Sequence, residues 1–308
     1  MISRRGFLGA AAAIPWGMAW ALRCGRGADI DWSKQTFRVA TSLAMLADVN
    51  ENDARAAMRS WADVISRLVG MHIAYERYLL SPPNRLMELM QNAAVDAVAC
   101  TTPDYVSFVD YVDPGVLLVE PNGVGYKYVL LVNARSNIHT VTELRGRSLA
   151  VHRHVTTCLA MDWLETLLAA KNLGPPERFF SAVTPNAKLS RAVLPVFFGQ
   201  SDACLVTEEG FRTMCELNPQ LSNALRPLAT SAPYITAFFG FHRDCDPALK
   251  LKFQSTLEAL AKDATGRQLL ALFQSNGFVA RDASVMRSAV DLVEAAGRAR
   301  RHYAAAKG

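Results

Sequence analysis

The same alternation of strand patterns and helix patterns occurs twice along this chain. In the first stretch, short apolar runs at 37–42, 71–78 and 95–100 predict strands, and amphipathic periodicity at 48–69 and 84–93 predicts helices between them. A β-α-β-α-β order implies parallel strands whose connecting helices pack on both faces of a sheet. This feature restricts the chain to the α/β class.

A second set of the same kind begins about forty residues after the first one ends. Its predicted elements are a helical turn at 142–145, strands at 148–151, 179–183 and 203–207, and helices at 156–171 and 186–198. The last of these helices contains Pro195, a residue that favours a break at that point.

The two sets predict two lobes, with the chain crossing between them near 124–127 and again near 230–235. We expect one lobe to contain 36–125 and 235–305, and the other to contain 126–234. Three helices, at 246–263, 265–275 and 282–305, are predicted to finish the chain, with Gly277 ending the second of them. Two crossings make a hinge, and a cleft between hinged lobes is the usual place for a small ligand.

The first residues have the features of an export signal. Arg4 and Arg5 precede an apolar run, 9–21, which is too short and too interrupted to predict a membrane span. This pattern predicts a twin-arginine signal peptide over 1–21, cleaved after Ala21, and a protein that works in the periplasm. The alternative is a buried N-terminal helix. Lipid attachment at Cys24 is not expected, because Arg23 stands where a small residue is needed.

Composition excludes several classes of protein. The 33 Lys and Arg residues exceed the 28 Asp and Glu residues by a net charge of only +5, and no basic block predicts nucleic-acid binding. The six cysteines are compatible with disulfides or with buried thiols, and no two have metal-ligand spacing. Nothing after residue 30 is long and apolar enough to span a bilayer.

The strongest local motif for ligand binding follows the strand at 148–151. There a loop opens the predicted helix with Thr156, Thr157 and Cys158. Amides at a helix start lack partners within the helix, and neighbouring hydroxyls add donors, so together they favour an anion such as phosphate, phosphonate or carboxylate. His152 and His154 raise the local positive potential. The alternative is ordinary N-capping by a threonine.

Several segments around that motif resemble a known family. They are Glu143–Arg147 before the strand, Phe198–Thr207 with its hydrophobic-Gly-x-x-Asp-Ala pattern, the related run Asn92–Val98, the following 101–105, and the segments 216–221 and 228–233. In order and spacing these segments resemble the periplasmic phosphonate/phosphate/phosphite-binding proteins of ABC importers. The resemblance extends over roughly residues 36 to 280.

The resemblance implies a type 2 periplasmic-binding fold, in which two α/β lobes joined by a hinge close on a small oxyanion. It implies that Thr156, Thr157 and Cys158 hold the anionic head of the ligand. It also implies contacts from the first-lobe loop and its neighbourhood, namely Thr101, Thr102, Tyr105 and Ser42. Asn186 stands where the family often has a histidine, and Thr207 with Glu208 stands where relatives hold an acidic partner for a ligand amine.

Two alternatives to an importer component stay open. An exported receptor could report ligand occupancy to a membrane sensor, since both kinds of protein use the closed lobe surface as the signal. An enzyme would need motifs that the sequence lacks, although the histidine pair 152/154 could ligate a metal if a third ligand joined it. The sequence therefore predicts a monomeric binding protein without cofactor or catalysis, whose partners are a small anion and an ABC permease or membrane sensor.

Overall fold

The computed structural model describes residues 30–46, 50–120, 125–272 and 276–305. The predicted signal peptide and Cys24 lie outside the described residues. Within the described part, no helix combines the length and apolar character needed to cross a bilayer. The five cysteines that the structure describes are all free thiols.

The described residues form strands and helices in alternation, numbered here in chain order. The strands are β1 (Thr36–Thr41), β2 (His72–Ala74), β3 (Ala97–Thr101), β4 (Val112–Glu120), β5 (Tyr128–Asn133), β6 (Ser148–His152), β7 (Ala182–Asn186), β8 (Ala203–Thr207), β9 (Leu225–Thr230), β10 (Ala237–His242) and β11 (Gly277–Asp282). The helices are α1 (Glu51–Val69), α2 (Pro83–Gln91), α3 (Thr102–Tyr105), α4 (Ala160–Ala169), α5 (Pro176–Phe179), α6 (Leu189–Phe197), α7 (Glu208–Leu217), α8 (Gln220–Ala224), α9 (Pro247–Ala259), α10 (Ala264–Leu272) and α11 (Arg287–Ala305).

The first sheet has the strand order β11-β4-β10-β3-β1-β2. Strand β1 pairs in parallel with β2 and with β3, as the β-α-β-α-β pattern predicts. Strands β4, β10 and β11 complete the sheet through antiparallel pairs. The sequence predicted no strand at β4 or β11, so the sheet is wider than expected and mixed in direction.

The second sheet repeats the plan with the order β7-β6-β8-β5-β9. Strand β6 is parallel to β7 and β8, and β5 is antiparallel to β8 and β9. The predicted strand at 179–183 is wrong in place, because Phe179 ends the short helix α5 and β7 begins only at Ala182. Each sheet is therefore mixed, and helices flank both.

Helix α1 shows why the predicted helices form. Asn50 caps its first turn by accepting a hydrogen bond from the amide of Asn52, and Gly70 ends it in the left-handed conformation with φ +76°. Its buried face includes Trp61 and Ile65, at the predicted four-residue spacing, while Leu68 lies on the exposed side.

Two helices differ from their predictions. Helix α6 continues through Pro195 without a break, and the carbonyl of Pro195 accepts amide hydrogen bonds from the turn that follows the helix. The predicted helix at 156–171 begins instead as a separate 3₁₀ turn, Val155–Thr157, and α4 starts only at Ala160.

The chain passes between the sheets in two segments that contact each other. One segment joins β4 to β5 and the other joins β9 to β10. They meet where the amide of Tyr126 donates to the carbonyl of Tyr234 at 2.8 Å and the amide of Tyr234 donates back at 2.9 Å. Gly125 has φ +79° beside this pair.

The last helix packs against both halves of the structure. Ala289 and Leu292 of α11 belong to the apolar core beneath the second sheet, while Met286, just before the helix, belongs to a core of the first sheet. Arg300 forms ion pairs with Asp162 and Glu165 of α4. The assignment of the C-terminal helix to the first lobe stays a prediction.

Candidate functional site

A cleft of about 620 Å³ opens between the two sheets. In both sheets the strand order reverses beside a central strand, as β2-β1-β3 and as β7-β6-β8. Such reversal points leave a crevice outside the carboxyl ends of the parallel strands. The cleft has this position, because its lining includes Thr41 at the end of β1, His152 at the end of β6 and Thr207 at the end of β8.

Thr41 is the buried polar group on the wall formed by the first sheet. Its side chain is 3% exposed, and its Oγ1 has no hydrogen-bond partner among the described residues. The register of β1 and β3 places it opposite Ala99, which also lines the cleft. A buried hydroxyl without a partner costs about 1–3 kcal/mol, so a ligand that bonds to Thr41 removes this penalty.

The wall formed by the second sheet carries two histidines and a threonine. The rings of His152 and His154 stack with centroids 5.6 Å apart and planes 8° from parallel. The Nδ1 atom of His154 lies 2.9 Å from the Oγ1 of Thr156, and both side chains line the cleft. This wall therefore offers imidazole and hydroxyl groups side by side.

Helix α7 closes the same side of the cleft. Thr207 caps it by accepting a hydrogen bond from the amide of Gly210 at 3.1 Å, and Glu209 in its first turn lines the cleft. No lysine or arginine occurs among the described residues of the lining. The polar part of the cleft consists of hydroxyl, imidazole and carboxylate groups without a permanently cationic side chain.

The amides and the Thr157 hydroxyl of the predicted anion-binding turn form hydrogen bonds within the turn, which the sequence did not predict. The hydroxyl of Thr157 donates to the carbonyl of His152 at 2.7 Å and accepts from the amide of His154 at 2.9 Å. The amides of Thr156, Thr157 and Cys158 all donate within the turn. Of these three predicted residues, only Thr156 is part of the cleft lining.

Cys158 contacts the segment that joins the sheets. Its thiol donates to the carbonyl of Thr236, with sulfur and oxygen 3.5 Å apart. Burial is the main cause that raises the pKa of this thiol far above its ordinary value, and the carboxylate of Asp162 adds to the effect. The thiol is therefore protonated and acts as a weak hydrogen-bond donor.

The predicted first-lobe residues lie just behind the cleft. The hydroxyls of Ser42 and Thr101 both donate to one carboxylate oxygen of Asp104, at 2.6 and 2.7 Å. The hydroxyl of Thr102 donates to the carbonyl of Ile235 at 2.6 Å. These three side chains are at most 1% exposed, and all three bonds are internal.

Tyr105 belongs to the apolar core of the first sheet. Its ring packs edge-on against Phe238, with centroids 4.9 Å apart, and the residue is 5% exposed. Burial raises the pKa of its hydroxyl, and nearby Cys100 and Asp110 contribute in the same direction. Phe238, rather than Tyr105, is the member of this pair that lines the cleft.

The remaining two predicted residues lie at the surface. The side-chain amide of Asn186 donates to the carbonyl of Thr184 at 2.9 Å, and Glu208 pairs with Lys127 at 3.8 Å. The cleft lining contains neither Asn186 nor Glu208. Among the described residues there is also no cluster of three metal-ligating side chains, so the histidine pair has no third ligand there.

Most of the cleft lining is apolar, which the sequence analysis did not predict. These residues come from the core between the first sheet and its helices: Met58, Trp61, Phe239, Leu260, Leu269, Leu270 and Phe278. Thr41, Glu209 and Thr236 also line the cleft, and the sequence did not predict them there. For Thr41 a signal existed, because it is the last polar residue of a strand that leads to a predicted ligand edge.

Comparisons with known proteins support this description of the fold. XAC2383 from Xanthomonas citri, in a structure bound to ATP, has a TM-score of 0.64 and 17% identity over 87% of this chain and 98% of that one. A binding component of a phosphonate ABC transporter from Pseudomonas aeruginosa has a TM-score of 0.57 and 14% identity, over 86% and 87% of the two chains. At these identities the likeness shows the two-lobed α/β fold of periplasmic binding proteins.

A third solved structure has the same fold. PhnD1 from Prochlorococcus marinus, in complex with methylphosphonate, has a TM-score of 0.57 and 12% identity over 83% of this chain and 96% of that one. Comparison with curated sequences gave no significant match.

The sequence itself matches a family profile over most of its length. The profile is that of the phosphonate ABC transporter periplasmic substrate-binding protein, and it matches residues 43–286. Proteins of this family bind a small ligand in the periplasm and present it to a membrane permease; they are binding proteins and not enzymes. Since the match extends over well more than half of the sequence, this chain belongs to the family of periplasmic substrate-binding proteins of phosphonate ABC transporters.

Proposed function

We propose that the cleft captures a small oxyanion, of the phosphonate or phosphate kind, and that the lobes close around it. The single observation that carries this proposal is the position of Thr41, Thr156 and Thr207 at one cleft, beside the strand-order reversals of both sheets. Hydroxyl groups donate to oxyanion oxygens without needing a formal charge, and each such bond to a charged partner contributes about 1.5–3 kcal/mol.

The other predicted site residues have different parts in this proposal. Internal hydrogen bonds hold the two walls in place, and they are made by Thr157, Cys158, Ser42, Thr101 and Thr102. Tyr105 contributes by packing against Phe238. Asn186 and Glu208 would reach a ligand only after closure moves the walls. Their contacts to a ligand stay predictions.

We propose that 1–21 is a twin-arginine signal peptide, and that the protein acts as a monomer without nucleic acid. The partner is the permease of an importer, as in the family. A membrane sensor is the alternative, and a ligand-dependent complex with a sensor but not with a permease would favour it.

Calorimetry on the purified protein tests the oxyanion site, with inorganic phosphate and methylphosphonate as probes. Thr156→Val and Thr41→Val each remove one hydroxyl while keeping the side-chain volume. Each should weaken the binding of the better probe about 10- to 150-fold, which corresponds to one lost hydrogen bond to a charged group. Thr184→Val is the matched control, because Thr184 is exposed on β7 outside the cleft.

The proposal fails if Thr41→Val, Thr156→Val and the control Thr184→Val all bind the probe as tightly as the unchanged protein. It also fails if neither anion binds to the unchanged protein at millimolar concentration, since members of this class must retain ligand long enough to deliver it.

A further inference from the structure

The cleft continues from its polar opening into the apolar core of the first sheet. Met58 and Trp61 lie on one face of α1, three residues apart, and Leu269 and Leu270 face them from α10. The four side chains are between 3% and 7% exposed, yet all of them line the same cleft as Thr156. We name this part of the lining, with Phe239, Leu260 and Phe278, the apolar arm.

Thr41 stands where the polar opening meets the apolar arm. Side chains two apart on a strand share one face, so Val39 and Thr41 point the same way from β1, and both line the cleft. Below Thr41 the lining is aliphatic and aromatic, whereas the second wall opposite offers His152, His154 and Thr156. The buried hydroxyl of Thr41 has no hydrogen-bond partner among the described residues. It can therefore accept or donate a bond at the junction between a ligand's head and its tail.

We propose that the natural ligand is amphipathic: an oxyanion whose alkyl or aryl substituent occupies the apolar arm while its head binds at the polar opening. This inference rests on the proposed function and narrows its ligand class. A free phosphate would fill only a small part of a volume of about 620 Å³ and would leave the apolar arm in contact with water. An organic substituent of several carbons removes that apolar surface from water, and each buried methylene strengthens binding about fourfold.

The distribution of charge favours the same ligand class. The described lining contains the carboxylate of Glu209 and no lysine or arginine, so its permanently charged groups do not attract a small free anion. Burial of the apolar substituent supplies the additional affinity that cationic side chains would otherwise provide. The hydroxyls and imidazoles then orient the head instead of holding it alone.

An alkyl series tests the proposal by calorimetry on the unchanged protein. The probes are inorganic phosphate, methylphosphonate, butylphosphonate and hexylphosphonate. The affinity should rise about fourfold for each methylene. Because hexylphosphonate has five methylenes more than methylphosphonate, it should bind about 1,000-fold more tightly. If phosphate and methylphosphonate bind but the affinity stays level or falls along the series, the apolar arm is not a ligand site and the oxyanion proposal stands.

A variant that fills the arm provides the second measurement. Leu270→Trp should reduce the gain in affinity from methylphosphonate to hexylphosphonate to less than tenfold. Leu251→Trp, at a position 68% exposed on α9, is the matched control and should keep the full gain. If Leu270→Trp does not fold, the series on the unchanged protein decides alone.

Hexanol distinguishes failure of this inference from failure of the proposed function. Hexanol that binds as tightly as hexylphosphonate would show that the arm accepts an apolar chain but that the opening gives no oxyanion recognition, which overturns the proposed function. If neither phosphate nor methylphosphonate binds at millimolar concentration, the proposed function fails, and this inference, which rests on it, fails as well.

Discussion

Gly125 provides the sharpest test of how the two halves of the molecule are joined. It lies in the segment between β4 and β5 with φ +79°, a conformation that favours glycine. A Cβ built at this position would lie 2.5 Å from the carbonyl carbon of Tyr234 and 2.9 Å from the amide nitrogen of Ile235. Gly125→Ala therefore forces the two connecting segments apart as well as straining the backbone.

The expected loss of stability follows from these two effects. The left-handed conformation costs a non-glycine residue about 1–2 kcal/mol. Separation of the segments also strains the two hydrogen bonds between Tyr126 and Tyr234, at 2.8 and 2.9 Å, and each such bond contributes about 0.5–1.5 kcal/mol. Together they predict that Gly125→Ala lowers the free energy of unfolding by about 2–5 kcal/mol.

Urea denaturation followed by circular dichroism measures this change, with Gly199→Ala as the matched control. Gly199 has a similar φ, +72°, but a Cβ there would meet nothing within 4 Å. The control should therefore lose only the conformational part, about 1–2 kcal/mol. Equal losses in the two variants would refute the close approach of the connecting segments. If Gly125→Ala loses more stability than Gly199→Ala, it should also bind the ligand more weakly. The reason is that the connecting segments set the position of one cleft wall relative to the other.

Three further predictions concern the supports of the fold. Arg300→Met should lower the free energy of unfolding by about 1–3 kcal/mol at pH 7, against less than 0.5 kcal/mol for Arg298→Met, whose partner is exposed. Burial raises the pKa of Asp162 and of Glu165, and Arg300 partly opposes this shift. Without Arg300 the folded state binds protons more readily, so the loss of stability should shrink as the pH falls below 7. A loss that does not depend on pH in urea titrations would contradict this. Asp104→Ala leaves two buried hydroxyls without their acceptor and should cost about 2–4 kcal/mol in the same assay, whereas a change below 1 kcal/mol would show that the hydroxyls find other partners. Dithiothreitol should leave the Tm unchanged, because the described cysteines are free, and a drop of several degrees would reveal a disulfide.

The sequence predicted the parallel part of each sheet but missed the antiparallel strands β4, β9 and β11. The parallel strands β1, β2 and β3 alternate with helices, and this alternation is visible locally. Strands β4 and β11 pair with partners far away in sequence, and local features conceal them. Strand β4 contains Pro114 and Gly115 near its start. Strand β11 begins at Gly277, where the sequence predicted the end of a helix.

The anion-binding turn shows a different limit of the sequence. A loop that leads into hydroxyl residues predicts free amides at a helix start. The chain instead forms the 3₁₀ turn Val155–Thr157, in which His154 and the threonines satisfy the amides locally. Short polar side chains compete for backbone groups in this way, and no pattern of residue types decides the competition in advance.

Three of the predicted residues lie next to the residue that lines the cleft, while Thr156 and Thr207 line it themselves. Ser42 was predicted and Thr41 lines the cleft; Glu208 was predicted and Glu209 lines it. Thr157 was predicted together with Thr156, and only the latter lines the cleft. Thr41 and Ser42 lie at the end of a strand, where neighbouring side chains point to opposite sides. The other two pairs lie in helical turns, where neighbouring side chains are turned by about 100°. A motif located within one residue therefore still leaves open which side chain faces the ligand.

The predicted residues that do not line the cleft have a structural role in positioning its walls. Asp104 accepts hydrogen bonds from Ser42, just after β1, and from Thr101, at the end of β3, so one carboxylate fixes the ends of both strands. Thr102 then donates its amide to Thr236 and its hydroxyl to Ile235, which ties the connecting segment to the same loop. These bonds define the position of Thr41 relative to the second wall, and a ligand that bridges the walls depends on that position to within a few tenths of an ångström. In this structure the hydroxyls of Ser42, Thr101 and Thr102 therefore hold the cleft walls through internal hydrogen bonds, and their contacts to a ligand stay predictions.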